Sequence, residues 1–237
     1  MRVLLGADLN AVRALLSRSA LDARLAAFIV PYLGESAMAK SAVLALRTMA
    51  DEVPGLLGDA MLSPTQPLAV RRRVPHALRN ARGQGAARAL ILALSADALD
   101  VRYRAALALL EVTRHDPSLL PESKQVHALA LAEASHMPLS GAAVDHIFAL
   151  LSLSTSRGGL TLVRQGLRSD DKKLRGTALE YLESLLPESL HAPLVRAFAQ
   201  PSWPPPDLTR SQTQLLDELT RSLPADLAAP TLASDPD

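Results

Sequence analysis

Six basic side chains crowd one short stretch of this chain: Arg71, Arg72, Arg73, His76, Arg79 and Arg82. Guanidinium groups gathered this way hold carboxylates or phosphates through forked, charge-assisted hydrogen bonds. On a helix, Arg72, Arg79 and Arg82 fall at spacings that form a stripe, and Arg104 can join it from the next repeat. These four are the candidate partner-binding residues, and the ligand they suggest is an anion, an acidic peptide or a nucleic acid. A solvated face held by structural Arg–Asp pairs is the competing reading. Nucleic acid is disfavoured, because 25 basic residues are set against 24 acidic ones for a net charge of +1. Long-range attraction of a polyanion then nearly cancels. Three Phe, three Tyr and one Trp also leave few rings on which bases could stack.

Other reactive chemistry is scarce. With no cysteine, disulfides, thiolate metal sites and cysteine nucleophiles are excluded. His76, His115, His127, His136, His146 and His191 occur without the HxH, HxxxH or His-Glu spacings that bring metal ligands to one helix face. The sequence contains no GxSxG elbow, P-loop or GxGxxG, and the two glycines of "RGGL" (157 to 160) read as a helix-to-helix turn. No catalytic, cofactor-binding or metal-ligating residue is therefore singled out, and the expectation is a protein that is not an enzyme.

The elements that must carry the basic stripe follow from composition and periodicity. Ala and Leu dominate a 49% hydrophobic chain, the composition of close-packed helices rather than of sheets. A repeat is visible. Val101-Arg102 align with Val70-Arg71 at a shift of 31 and with Ala39-Lys40 at a further 31, and Leu174-Arg175 align at a shift of 73. Five residues before each basic position stand Glu35, Gln66, Asp97 and Asp170. We read each repeat as two antiparallel helices, with the acid in the turn and the base in the first turn of the second helix. The acid suits the helix N-terminus and can accept from a guanidinium of its own or the neighbouring repeat. Pairing is expected between Asp97 and Arg102, and equally between Glu35 and Lys40 and between Asp170 and Arg175. Ala45, Ala77, Ala108 and Ala178 let helices approach closely. In the second helix at 100 to 114, Val101, Ala105, Ala108 and Val112 form one buried stripe and Ala106, Leu107 and Leu110 another.

Periodicity and breakers predict helices near 8–18, 22–34, 37–50, 53–62, 67–81, 86–95, 100–114, 122–134, 142–152, 159–167, 171–185 and 188–199. Pro31 and Pro75 should kink two of these rather than end them. Residues 1–200 are thus expected to form an all-α domain, a right-handed α-solenoid of antiparallel helix pairs, with an irregular repeat at about 115–157. A Pro-rich linker (201–207) that includes Trp203, an amphipathic helix (208–223) and a disordered tail (224–237) should follow. The longest apolar runs are too short to span a bilayer, so a soluble chain is expected, and the lack of cysteine favours the cytoplasm.

The stretches "VRRRVPHAL" (70–78), "DVRYRAALAL" (100–109), "HIFALLSL" (146–153) and "GLRSDDKKLRGTALEYLESLLP" (166–187) carry a resemblance. The pattern is similar to HEAT-repeat proteins, whose second helix commonly opens with a Val-Arg pair after an acid in the turn. It most resembles the C-terminal HEAT-repeat extensions of bacterial multipass carriers of the major-facilitator and nucleotide-exchange type, over residues 70–198. The resemblance implies a helical solenoid used for protein contacts or regulation, with no catalytic residues to carry over. Function is accordingly expected to be that of an interaction scaffold or regulatory module with a protein partner, one form being a module that acts on a membrane carrier at its cytoplasmic face. The alternative is a HEAT-like nucleic-acid-binding protein or DNA-base glycosylase, which would need aromatic and carboxylate groups around an extruded base.

Overall fold

A computed structural model describes residues 9–18, 21–136, 139–155 and 157–198, of Arg157 the backbone alone. The expected linker, amphipathic helix and tail beyond residue 200 lie outside the described residues. Within them every regular element is a helix: α1 (Leu9–Leu16), α2 (Ala26–Ile29), α3 (Ala39–Thr48), α4 (Pro54–Leu62), α5 (Leu68–Arg71), α6 (Val74–Leu78), α7 (Gln84–Ala93), α8 (Leu99–His115), α9 (Ser123–Ala134), α10 (Gly141–Leu151), α11 (Arg157–Leu167), α12 (Lys172–Leu185) and α13 (Glu188–Phe198). The protein is all-α. No helix of the described residues is long and apolar enough to cross a membrane. The chain divides into two compact units, at Gln125 and Val126.

Local sequence explains the helix starts. Pro54 opens α4 at the position where a missing N–H costs nothing. Ser140 caps α10 by accepting from the Ala143 N–H at 3.1 Å, and Asp171 caps α12 by accepting from Lys173 N–H at 2.8 Å. The prolines behave differently from expectation. The segment expected at 22–34 is α2 flanked by 3-10 turns at Ala23–Leu25 and Val30–Leu33, with Pro31 inside the second. The segment expected at 67–81 is broken into α5 and α6 at Arg72–Arg73, with Pro75 in the first turn of α6. Proline cannot donate to the carbonyl four residues back, so the helix restarts there instead of bending through.

In the first unit, α6 packs on both α3 and α8, while α4 packs on α7; contacts of α4 with α6 and of α7 with α8 join the two sets. The core is built from small and branched residues: Ala42, Leu46, Leu57, Met61, Val74, Leu78, Leu90, Val101, Ala105 and Leu109 are fully or almost fully buried. The α4–α7 contact is tight because glycine and alanine face each other. A Cβ on Gly58 would lie 3.2 Å from Ala89 Cβ, and one on Gly85 would lie 2.7 Å from Pro54 Cγ. The Asp51 carboxylate closes the end of this contact, accepting from the Arg82 and Gly83 N–H groups at 2.8 Å each.

The first expected stripe of α8, Val101, Ala105, Ala108 and Val112, is buried. The second is only partly so: Ala106 and Leu110 are buried, but Leu107 is 42% exposed.

In the second unit, α11 packs on α12, α12 on α13, and α10 on α11. Asp145 of α10 receives Arg164 of α11 at 3.2 Å and Arg168, just after α11, at 2.8 Å, and the rings of Phe148 and Phe198 stack with centroids 5.3 Å apart. Gly158 and Gly159 are not a turn between helices; they form the first turn of α11. A Cβ on Gly159 would meet Leu185 Cδ1 at 2.9 Å and the Tyr181 hydroxyl at 3.0 Å, so this glycine lets α12 close on α11.

The acid–base ladder differs from its expected form. The Asp97 carboxylate is taken by Arg71, 26 positions earlier in the chain, through both terminal guanidinium nitrogens, one contact being 3.2 Å. Arg102 instead donates to the main-chain carbonyls of Ala96 and Asp97, each at 2.9 Å. Arg175 does the same, donating to the Ser169 carbonyl at 2.9 Å. The expected Asp97–Arg102 and Asp170–Arg175 side-chain pairs are thereby replaced by arginine-to-carbonyl bonds. The reason is that the carbonyls of the turn before a helix have no helical donor, and the long arginine in the first turn folds back onto them. Lys40 is exposed and forms no ion pair with Glu35.

Candidate functional site

The first unit carries a groove of about 500 Å³ bounded by α3, by α5 and α6, and by α8. From α3 come Ala39, Lys40, Val43, Leu44 and Arg47; from the α5–α6 break come Arg72 and Arg73; from α6 comes His76; from α8 comes Arg104. Lysine and arginine therefore rim a floor of Ala39, Val43 and Leu44, and Leu44 is 48% exposed. The break between α5 and α6 matters here. A continuous helix would carry Arg72 and Arg73 around its axis at 100° per residue, whereas the turn brings both into one groove wall.

Main-chain carbonyls hold two of the cations, and a carboxylate holds two others. Arg47 donates through Nη2 to the His76 carbonyl at 3.0 Å, and its Nε–H is buried without a hydrogen-bond partner. Arg73 donates through Nη1 to the Leu33 carbonyl. The carboxylate nearest the groove is Asp100, which accepts from Arg104 Nε at 2.7 Å and from Arg72 at 3.5 Å. Arg104 also reaches His76 Nε2 at 2.9 Å. A guanidinium can only donate, so Nε2 is the accepting nitrogen and the imidazole is neutral with its proton on Nδ1. Burial first, then the charges of Arg104, Arg79 and Arg47, push the His76 pKa down, against a smaller opposing pull from Asp100. The Arg47 pKa is likewise lowered, by desolvation and by Arg79.

Of the four residues singled out from sequence, the structure brings Arg72 and Arg104 together in this groove. Arg79 is exposed and stands close enough for its charge to act on Arg47 and His76, without lining the groove. Arg82 is exposed, and its backbone N–H serves the Asp51 cap at the other side of the α6–α7 turn. A stripe computed for one unbroken helix cannot survive the interruption at Arg72–Arg73. Arg47 was missed, although a signal was present: in the 31-residue register it occupies the column of Leu78 and Leu109, both fully buried. A cation in a leucine column marks a place where the fold faces something other than its own core.

Among the described residues no group of His, Asp and Glu is placed to hold a metal ion. Comparison of the chain with protein-family models, with curated proteins and with solved structures gave no match.

Proposed function

We propose that this chain is a non-enzymatic interaction module, a HEAT-like right-handed α-solenoid of antiparallel helix pairs that scaffolds or regulates a protein partner. The observation that carries this reading is the groove itself, walled by residues of α3, of the α5–α6 turn with α6, and of α8, which this reading takes as the second helices of three successive repeats. Surfaces built from equivalent positions of stacked repeats are the usual binding faces of such architectures. Support for the stacking comes from residues at the repeat spacing of 31 that touch: Asp51 with the Arg82 N–H, Pro54 with Gly85, and Gly58 with Ala89. The regulatory form of the proposal has the module act at the cytoplasmic face of a membrane carrier, on the strength of the sequence resemblance.

The test is a photo-crosslinking amino acid placed at Leu44 of the full chain, followed by recovery of crosslinked protein from the source cell. A discrete partner whose crosslink is lost with Lys40→Glu, but kept with Arg82→Glu, supports the module. Recovery that ignores both changes argues against it, and a multipass carrier among specific products supports the regulatory form.

One observation favours a second reading, nucleic-acid binding: five Lys or Arg side chains line one groove. Its lining has no Phe, Tyr or Trp to stack a base, and Asp100 is already engaged by two guanidiniums. Both features favour the protein partner. Duplex and single-strand DNA binding by fluorescence anisotropy at low and physiological salt decides between them. Sub-micromolar affinity that survives physiological salt and is lost on charge reversal at Arg72 and Arg104 would reverse the preference.

A further inference from the structure

We propose that the groove between α3, α6 and α8 takes an acidic amphipathic segment of the partner protein, whose carboxylates pair with Arg47, Lys40 and Arg73 while an apolar side chain packs on Val43 and Leu44. This rests on the interaction-module reading above and specifies the partner's chemistry.

The first argument is a local charge imbalance in a chain whose overall charge is nearly balanced. The groove presents Lys40, Arg47, Arg72, Arg73 and Arg104, and Asp100 answers only Arg72 and Arg104. Among the described residues Lys40, Arg47 and Arg73 have no carboxylate partner. The bonds of Arg47 and Arg73 to the carbonyls of His76 and Leu33 fix the guanidiniums in place without neutralising them. Arg79 adds a repelling charge beside Arg47. An incoming carboxylate relieves that repulsion and meets donors already oriented, which lowers the ordering cost of binding.

The second argument is the placement of Arg47 itself, a cation kept beside the groove at a cost to the fold. Arg47 Nε–H is buried and unpartnered, and a buried N–H left without an acceptor is costly. The fold does not require a cation here, since Leu78 and Leu109 fill the same repeat position as ordinary core.

The third argument separates a peptide from other anions. Val43 and the exposed Leu44 give the groove an apolar floor, for which inorganic phosphate or a nucleic-acid backbone has no use. The one ring in the lining, His76, is tied to Arg104. A volume of about 500 Å³ accepts a few side chains and not the width of a duplex. Carboxylates alternating with an aliphatic anchor, as on one face of an acidic amphipathic helix, match both the rim and the floor.

The experiment uses the full chain and fluorescein-labelled synthetic peptides: an amphipathic Glu/Leu peptide, its Glu→Gln counterpart, polyglutamate of the same charge, and a single-stranded oligonucleotide of the same charge. The expected result is salt-sensitive binding of the Glu/Leu peptide alone, weakened about ten-fold or more by Arg47→Gln, by exposed Lys40→Glu and by Leu44→Gln. Arg82→Glu should leave it unchanged, and circular dichroism of each variant monitors folding. Because Lys40 and Leu44 are surface positions, their variants keep the test informative even where Arg47→Gln unfolds the chain. Equal binding of polyglutamate removes the apolar anchor and overturns the proposal; equal binding of the oligonucleotide overturns it in favour of nucleic acid. No binding of the Glu/Leu peptide also overturns it. If the crosslink at Leu44 still captures a Lys40-dependent partner in that case, the interaction module stands and only the assigned chemistry fails; if the crosslink fails too, both readings fall.

Discussion

Gly58 of α4 and Ala89 of α7, 31 positions apart in the sequence, meet so closely that a Cβ placed on Gly58 would approach Ala89 Cβ to 3.2 Å. The missing side chain at Gly58 sets how closely α4 and α7 approach. Gly58→Leu should therefore cost on the order of 1–3 kcal/mol through overpacking, with partial recovery in Gly58→Leu/Ala89→Gly. Urea unfolding followed by helical circular dichroism measures both. Full stability of Gly58→Leu would mean that α4 and α7 do not meet this closely.

The Arg71–Asp97 contact should respond asymmetrically to substitution. Arg71 is only 5% exposed and also donates through Nε to the Met61 carbonyl at 3.1 Å, whereas the Asp97 side chain is 67% exposed. Arg71→Ala leaves a buried carbonyl without its donor and is expected to cost about 1–3 kcal/mol. Asp97→Ala removes a carboxylate whose place water can take, and its cost should be the smaller of the two. Arg71 also holds the Asp97 carboxyl below its ordinary range, so this contribution is present above that range and is lost as pH falls through the lowered value. Comparable losses for the two alanine variants would contradict the burial assigned to Arg71.

Leu109 is fully buried in α8 between its packing partners. Leu109→Ala should destabilise the first unit by about 2–5 kcal/mol, because the neighbouring helices cannot close fully on the cavity. Leu107→Ala, one turn face away and partly exposed, should cost far less. Chemical denaturation of the two variants side by side checks the contrast.

His76 predicts a pH dependence. Its pKa is pushed below the ordinary imidazole value, so the folded state binds this proton less readily than the unfolded state does. The stabilising effect is complete above the unfolded pKa of about 6.5 and is lost as pH falls through the lower folded value. His127, lowered by burial, acts with the same sign. Thermal midpoints measured from neutral to mildly acidic pH should fall for the native chain and fall less steeply for His76→Gln. Identical slopes would remove His76 from the account, and an NMR titration of its ring would show directly whether the shift is downward.

Helical structure was legible from composition and period alone. Most segments fell close to their expected bounds, because an apolar face at helical spacing, Pro54 at a helix start and Asp171 at a cap are local signals. Contacts between residues 31 apart, such as Asp51 with the Arg82 N–H and Gly58 with Ala89, were suggested by the period of the sequence. The partners of the charged side chains were not. Asp97 and Arg102 are neighbours in the chain, yet Asp97 takes Arg71 while Arg102 turns to the Ala96 and Asp97 carbonyls. Which donor reaches an acid depends on where a segment 26 positions earlier places its arginine, a distance that no local pattern encodes. The same holds for the groove. Sequence placed Arg72, Arg79 and Arg82 on one helix stripe, joined by Arg104 from the next repeat. The break before Val74 and the packing of α6 against α3 and α8 instead assembled Lys40, Arg47, Arg72, Arg73 and Arg104. Secondary structure follows from interactions within a turn or two of the chain, so the sequence by itself determined it; the choice of ion partners and the lining of the groove arise between helices, so only the tertiary structure decided them.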